Sequence, residues 1–458
     1  MQNSALFDYG FIYQVCGGFQ FDLNSVLKKT NQGYIERHHC DHNCTTDCVN
    51  YQCPAAFSSN RDIDQQTTLS LDEIEKSLQN AYEGMVLANK QFLKNIFSQY
   101  CHDYYIPKHV AKDLIETLST SKLELNMFGG NPELHPQFLE IIKIAHRIGW
   151  KVTTITTGKK FMYDEQFTKA FLKHPPDLLA ISADDYEDLN ELKQLLDLNL
   201  EELKQYWQKI NPLYGQRKKA FESIYSAKLA LSNKKFPKML FNIVVHPGNI
   251  DVIYEMIKLL SVKFPSVLIN PYPAQSSFSF SSLAWKIEHL PKIEKFVDFM
   301  IDKQFSRIKN NFPAVARLLY WLALKSIFET KLRDTDKLAM LSGYDIWKCY
   351  KQAGAGRYLQ ASLADKRSKK PFRVGAHPGC FWNHETVTDN KHQLWNMTPE
   401  EISLYLLDHK TKLPAKSENP CPGCIMPRLM FDGISIELGL DHRLLPAYLK
   451  LRNKYFNF

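Results

Sequence analysis

Several familiar signatures are missing from this 458-residue chain, and each absence narrows the field. No stretch reaches the roughly 18 to 20 uninterrupted apolar residues of a membrane span. The nearest, 313–328, is broken by Arg317 and Lys325. The opening MQNSALFDYGFIYQVCGG has no basic region leading into an apolar one, so a cytoplasmic location is expected. There is no internal repeat, no low-complexity tract and no G-x-x-x-x-G-K-[ST] phosphate loop. Charge of one sign is scarcely in excess: 57 Lys and Arg against 49 Asp and Glu leave +8. With no basic stripe interleaved with aromatics, a nucleic-acid partner is not expected. The 44% hydrophobic content, with 19 Gly and 22 Pro, is that of ordinary globular proteins and excludes disorder, collagen and simple coiled coil.

What is present is a rhythm of strands and helices. LELNMF alternates as a strand, GGNPELHP supplies breakers, and QFLEIIKIAHRIGW sets Phe138, Ile141, Ile142, Ala145 and Ile148 at helical spacing. KVTTITTG, DLLAIS, MLFNIVVHPGN and VLINPYP read as further strands, with helical stretches around Tyr163 to Leu172, Glu187 to Leu231 and IDVIYEMIKLLSVKF. Short apolar strands alternating with helices predict an α/β fold with a parallel sheet covered by helices. The expected divisions are residues 1–32, to which no role is assigned; an α/β core over 33–281; a helical linker over 282–344; and a small cysteine-bearing module over 345–458. The basic loop KRSKKPFR at 366–373 reads as a solvated turn.

The ten cysteines are placed unevenly. Cys40, Cys44, Cys48 and Cys53 crowd one segment, Cys380, Cys421 and Cys424 lie near the end, and Cys16, Cys101 and Cys349 are scattered. In a chain this long without a secretory signal, such clustering points to metal ligation or catalysis before disulfides. Cys40, Cys44 and Cys48 follow one another at intervals of three intervening residues. Three thiolates on one short loop suit three irons of a [4Fe–4S] cube and leave the fourth iron open. The neighbouring His38, His39 and His42 keep zinc as an alternative. In GGNPELHP, two glycines after a strand let backbone approach a ligand closely, although a plain strand-to-helix turn has the same composition. Cys16 and Cys101 read as small buried hydrophobes and His135 as a surface or capping residue.

Taken in order, the cysteine loop, GGNPELHP, KVTTITTG, DLLAISADD and FNIVVHPGNID resemble the radical S-adenosylmethionine superfamily over about residues 33 to 273. The resemblance implies a partial (β/α)6-type TIM barrel that binds a [4Fe–4S] cluster and S-adenosylmethionine and cleaves the latter reductively to a 5′-deoxyadenosyl radical. By position, Cys40, Cys44 and Cys48 would ligate the cluster. Gly129, Gly130 and Asn131 would meet the methionine amino group, and Thr157 and Ser182 the ribose or carboxylate. Two departures stand out. The second cysteine interval is three residues where the family commonly has two, with Asp47 rather than an aromatic before Cys48, so Cys53 is the competing third ligand. Asn131 stands where the family usually has glutamate. Cys53 and Gly129 lie 76 positions apart, which requires an insertion with helices near Leu71 to Leu87 and Lys108 to Leu118.

The C-terminal cysteines resemble the SPASM or twitch-like extensions of that superfamily. They imply one auxiliary [4Fe–4S] cluster on Cys380, Cys421, Cys424 and Cys349, with structural zinc and unmetallated core cysteines as alternatives. No D-x-H-x-x-G cobalamin signature is present. The expected activity is hydrogen abstraction from a peptide or protein side chain, or else from a small metabolite. A reducing electron donor would be a partner, and no residue is assigned as the group acting on substrate. A zinc-binding regulatory or nucleic-acid-associated protein is the alternative of a different class.

Overall fold

The computed structural model describes residues 18–22, 70–104, 123–128, 132–134, 137–183, 188–210, 215–273, 287–304, 359–362, 372–374 and 396–407, with single positions at 112, 116 and 321. The centre of the fold is one sheet. Its strands are β1 Gly18–Asp22, β2 Glu124–Phe128, β3 Lys151–Thr156, β4 Leu178–Ser182, β5 Lys238–Val245, β6 Leu268–Pro273, β7 Leu359–Ser362 and β8 Phe372–Val374. They lie in the order β6-β5-β4-β3-β2-β1-β7-β8. Every pair from β6 to β7 is parallel, and β8 closes antiparallel on β7.

The first six strands are neighbours in the order in which the chain makes them. Right-handed crossovers between successive neighbours put the connecting helices on one face. The burial agrees with this. Leu125, Met127, Val152, Leu179, Ile181, Phe241, Ile243, Val245 and Ile269 alternate along their strands and join one apolar core with helix residues such as Ile141, Leu195 and Ile257. The α/β class and parallel pairing follow the sequence expectation. Two segments outside the expected core also join the sheet. Gly18–Asp22, in the stretch with no assigned role, pairs with β2, and Leu359–Ser362, from the C-terminal stretch, pairs with β1.

The helices are α1 Leu71–Tyr104, α2 Phe138–Ile148, α3 Lys159–Tyr163, α4 Glu165–Phe171, α5 Leu189–Asp197, α6 Leu200–Ile210, α7 Gly215–Ser232, α8 Ile250–Lys263, α9 Leu290–Phe299 and α10 Pro399–Leu407. Their starts are written locally. Before α1, the Ser70 N–H donates to Glu73 at 2.9 Å and the Glu73 N–H donates to the Ser70 hydroxyl at 3.3 Å, a reciprocal cap. Thr398 and Glu401 repeat that pair before α10. Asp164 and Asp188 accept from the first turns of α4 and α5. Helix α2 ends on Gly149, whose φ of 115° suits glycine. Helix α1 occupies the long insertion that the cysteine-to-glycine spacing requires, while 108–118 lies almost wholly outside the described residues. The charged stretch from Glu187 resolves into α5, α6 and α7, and the Tyr163 to Leu172 stretch into α3 and α4. Among the described residues, no helix is long and apolar enough to cross a membrane.

Candidate functional site at the carboxyl ends of the strands

In parallel α/β sheets, ligands bind outside the carboxyl ends of the strands, where loops and free backbone groups collect. Here those ends are marked by buried polar side chains. Strand β2 stops at Phe128, and a single helical turn at Pro132–Leu134 follows after three intervening residues. Glu133 in that turn is 1% exposed. Its Oε1 accepts from the Thr156 hydroxyl at 2.5 Å, Thr156 being the last residue of β3. The same hydroxyl oxygen accepts from the Gly158 N–H at 3.0 Å. The Lys160 ammonium donates to the Glu133 carbonyl oxygen at 3.1 Å and stands 4.4 Å from the centre of the Phe167 ring. The turns after β2 and β3 are thereby tied together.

Glu133 Oε2 is buried with no partner. Burial pushes the carboxyl up to about 7, outweighing the opposing pull of the Thr156 hydroxyl and the Lys160 charge. A carboxyl group poised there can hold or release a proton near neutral pH. Gly158 continues the β3 turn at a φ of 84°. A Cβ at that position would stand 2.3 Å from the Ser226 hydroxyl oxygen and 3.3 Å from the Glu222 carbonyl oxygen, both on α7. Glycine is what lets the strand end and α7 meet there.

The next strands contribute side chains from the other face. Ser182 ends β4 and is paired in register with Asn242 of β5, which is paired with Asn270 of β6. Asn270 is 6% exposed, and its Nδ2 donates to Asn242 Oδ1 at 2.8 Å. Beyond β5, the turn into α8 closes on itself. The His246 N–H donates to Asn249 Oδ1 at 2.7 Å, and Asn249 Nδ2 donates to the Val244 carbonyl at 3.0 Å.

Of the residues singled out from sequence, Thr157 is buried directly after β3 and Ser182 is half-buried at the end of β4. They belong to adjacent strands of the same sheet. Gly129, Gly130 and Asn131 lie outside the described residues, as do Cys40, Cys44, Cys48, Cys53, Cys349, Cys380, Cys421 and Cys424. Among the described residues, no three His, Cys, Asp or Glu side chains converge as metal ligands. Sequence reading passed over Glu133, Asn242 and Asn270. A signal existed for the asparagines: each is a lone polar residue inside an apolar strand run, FNIVV and LINPYP. Glu133 had none, because Pro-Glu after two glycines reads as turn composition.

No known protein-family profile matches the chain, and no curated protein matches it. Among solved structures, a chain described as TYW1 with a lysine-pyruvate adduct bound is similar over 48% of this chain and 61% of its own, at 18% identity and a TM-score of 0.26. This chain therefore spans less than two thirds of that one, and a likeness of this size transfers neither fold nor activity.

Proposed function

We propose that this protein is a radical S-adenosylmethionine enzyme whose six sequential parallel strands form a partial barrel. One observation supports the reading: the motifs fall in the order, and next to the strand ends, that the family resemblance implies. The cysteine segment lies between β1 and β2 in the chain, and Gly129-Gly130 directly follows Phe128, the last residue of β2. Thr157-Gly158 directly follows β3, and Ser182 is the last residue of β4. Without the strand at Gly18–Asp22 the cysteine segment would precede the whole sheet; with it, that segment follows the first strand.

The described residues fit a polar, zwitterionic cofactor. Neighbouring strand ends carry a buried carboxyl with a free oxygen, two threonines and, on the other face of the sheet from Thr156, a serine. The donor set Cys40, Cys44 and Cys48 suits three irons of a [4Fe–4S] cube. When bound there, the cluster would supply the electron for reductive cleavage of S-adenosylmethionine. The chain's own part is orientation. Glu133 ties the glycine-bearing turn to β3 through Thr156, and Lys160 holds the same turn by its backbone. Thr157 and Ser182, after β3 and at the end of β4, would meet ribose or carboxylate oxygens. A peptide or protein side chain as substrate, a reducing electron donor, and an auxiliary cluster on Cys349, Cys380, Cys421 and Cys424 complete the proposal.

Anaerobic reconstitution with iron and sulfide, followed by dithionite and S-adenosylmethionine, tests it. The expected product is 5′-deoxyadenosine, lost in a Cys40→Ala, Cys44→Ala double variant. Equal product from both proteins, or bound zinc in place of iron, would overturn the reading.

A further inference from the structure

The turn after β2 is held in place by a group that is costly to bury in its charged form. Glu133 Oε1 accepts from the Thr156 hydroxyl, and Oε2 meets no partner among the described residues. The neutral acid suits this site, because Oε1 accepts while Oε2 carries the proton. The carboxylate does not, because a single hydroxyl leaves most of its acceptor capacity unmet where burial has removed water.

The surrounding charges do not make up the difference. The facing cation is Lys160 of α3, but its ammonium donates to the Glu133 carbonyl oxygen and lies over the Phe167 ring. Helix α2 and strand β3 pack against the turn. The charges of α2 sit at the surface, Glu140 with Lys143, His146 with Asp177 and Arg147 with Glu75. Strand β3 carries only Lys151, exposed at its start. Behind Gly158, α7 adds Glu222, a second buried carboxyl, which cannot neutralise an anion.

The turn therefore docks best with its proton on, and it adjoins the loops at the carboxyl ends. Gly129, Gly130 and Asn131 connect it directly to β2 in the chain. Through the Thr156 hydroxyl, the same carboxyl reaches the Gly158 N–H and the turn after β3. We propose that Glu133 is a proton-operated latch: neutral, it docks the turn after β2 against the end of β3, and on losing its proton it releases that turn while the sheet stays folded. The latch stands on the fold alone. Its consequence, that raising pH weakens S-adenosylmethionine binding, rests on the function proposed above.

Native-state hydrogen exchange of the full chain, read by mass spectrometry on segments 129–135 and 156–160, tests the latch. Comparing the wild type with Glu133→Gln at each pH cancels the intrinsic pH dependence of exchange. A carboxyl that gives up its proton at about 7 when docked and at 4.5 when released predicts a wild-type to variant ratio that climbs about tenfold from pH 6 to pH 8.5. Local release also predicts rates insensitive to low urea, whereas the buried α8 amides should quicken with it. A ratio constant with pH would overturn the latch, as would exchange in both segments that rises with urea in step with α8. Should Glu133→Gln not fold, Lys160→Met takes its place: without the facing cation, exchange relative to the wild type should climb severalfold over the same interval, and a flat or falling ratio would overturn the proposal. In the reconstituted protein, the ratio of S-adenosylmethionine dissociation constants, wild type to Glu133→Gln, should rise severalfold over that interval. Release that follows pH with no S-adenosylmethionine binding at any pH would leave the latch standing and remove the proposed cofactor. Binding with a flat ratio would overturn the latch's control of the site.

Discussion

At the scale of single residues, Glu133 carries the clearest physical consequence. Burial raises its carboxyl from an ordinary 4.5 to about 7. Below the unfolded value the group is protonated in both states, and its burial does not oppose folding. Between 4.5 and 7 the unfolded chain releases the proton first, so stability falls as pH rises; above 7 the loss is complete. Its full size is on the order of 3 kcal/mol. Glu133→Gln keeps an acceptor for Thr156 and abolishes the titration. Urea unfolding should show the stability difference between the two proteins moving by about 3 kcal/mol in favour of the variant from pH 4 to pH 8. A difference that stays constant with pH would contradict a buried, titrating Glu133. None of this was legible in GGNPELHP, because burial is a property of where the turn after β2 meets the end of β3. Thr157 and Ser182, by contrast, were named from the family resemblance, and the strands they follow and end, β3 and β4, announce themselves by period.

At the scale of elements, the two prolines of β6 explain where the parallel run stops. Residues two apart direct their backbone groups to the same side of a strand, so Pro271 and Pro273 remove two donors from one side of β6. That edge is poorly made to accept another strand, and among the described residues β6 is the end of the sheet. Trp321 stands beside it, fully buried, with its Nε1–H donating to the Pro271 carbonyl at 3.2 Å. The packing of α10 on α1 gives a second consequence. Asn80 on α1 donates to the Met397 carbonyl at 2.8 Å just before α10. A Cβ at Gly84 would stand 2.6 Å from Ile402 Cγ2 and 3.0 Å from the Pro399 carbonyl oxygen. Glycine to alanine inside an exposed helix ordinarily stabilises by about 1 kcal/mol. Here Gly84→Ala should instead destabilise by roughly 1 to 3 kcal/mol, and Ile402→Ala should relieve part of that penalty in a double-mutant cycle. An increase in melting temperature for Gly84→Ala alone would contradict the close contact. Helices such as α2 and α8 were readable from apolar spacing. Contact between residues over 300 positions apart is not encoded in any local period.

At the scale of the whole molecule, strand order carries the account. The alternation of strands and helices predicted a parallel α/β sheet, and the structure has one. Five of the six sequential strands were readable because buried strands are short apolar runs between breakers. The sixth, Gly18–Asp22, was not, because its aromatic-rich surroundings show no clear period and its identity as a strand comes from pairing with residues 124–128. That pairing gives the cysteine segment its place after a first strand, and it connects an N-terminal segment and a C-terminal one, Leu359–Ser362, to the same sheet. The central claim is that Cys40, Cys44 and Cys48 hold a cluster with one iron open to S-adenosylmethionine. Its most direct test is low-temperature EPR of the anaerobically reconstituted, dithionite-reduced protein before and after addition of S-adenosylmethionine. The account predicts a reduced [4Fe–4S] signal whose shape changes on addition and which is absent from the Cys40→Ala, Cys44→Ala variant. A signal indifferent to S-adenosylmethionine, or one that persists unchanged in the variant, would contradict it.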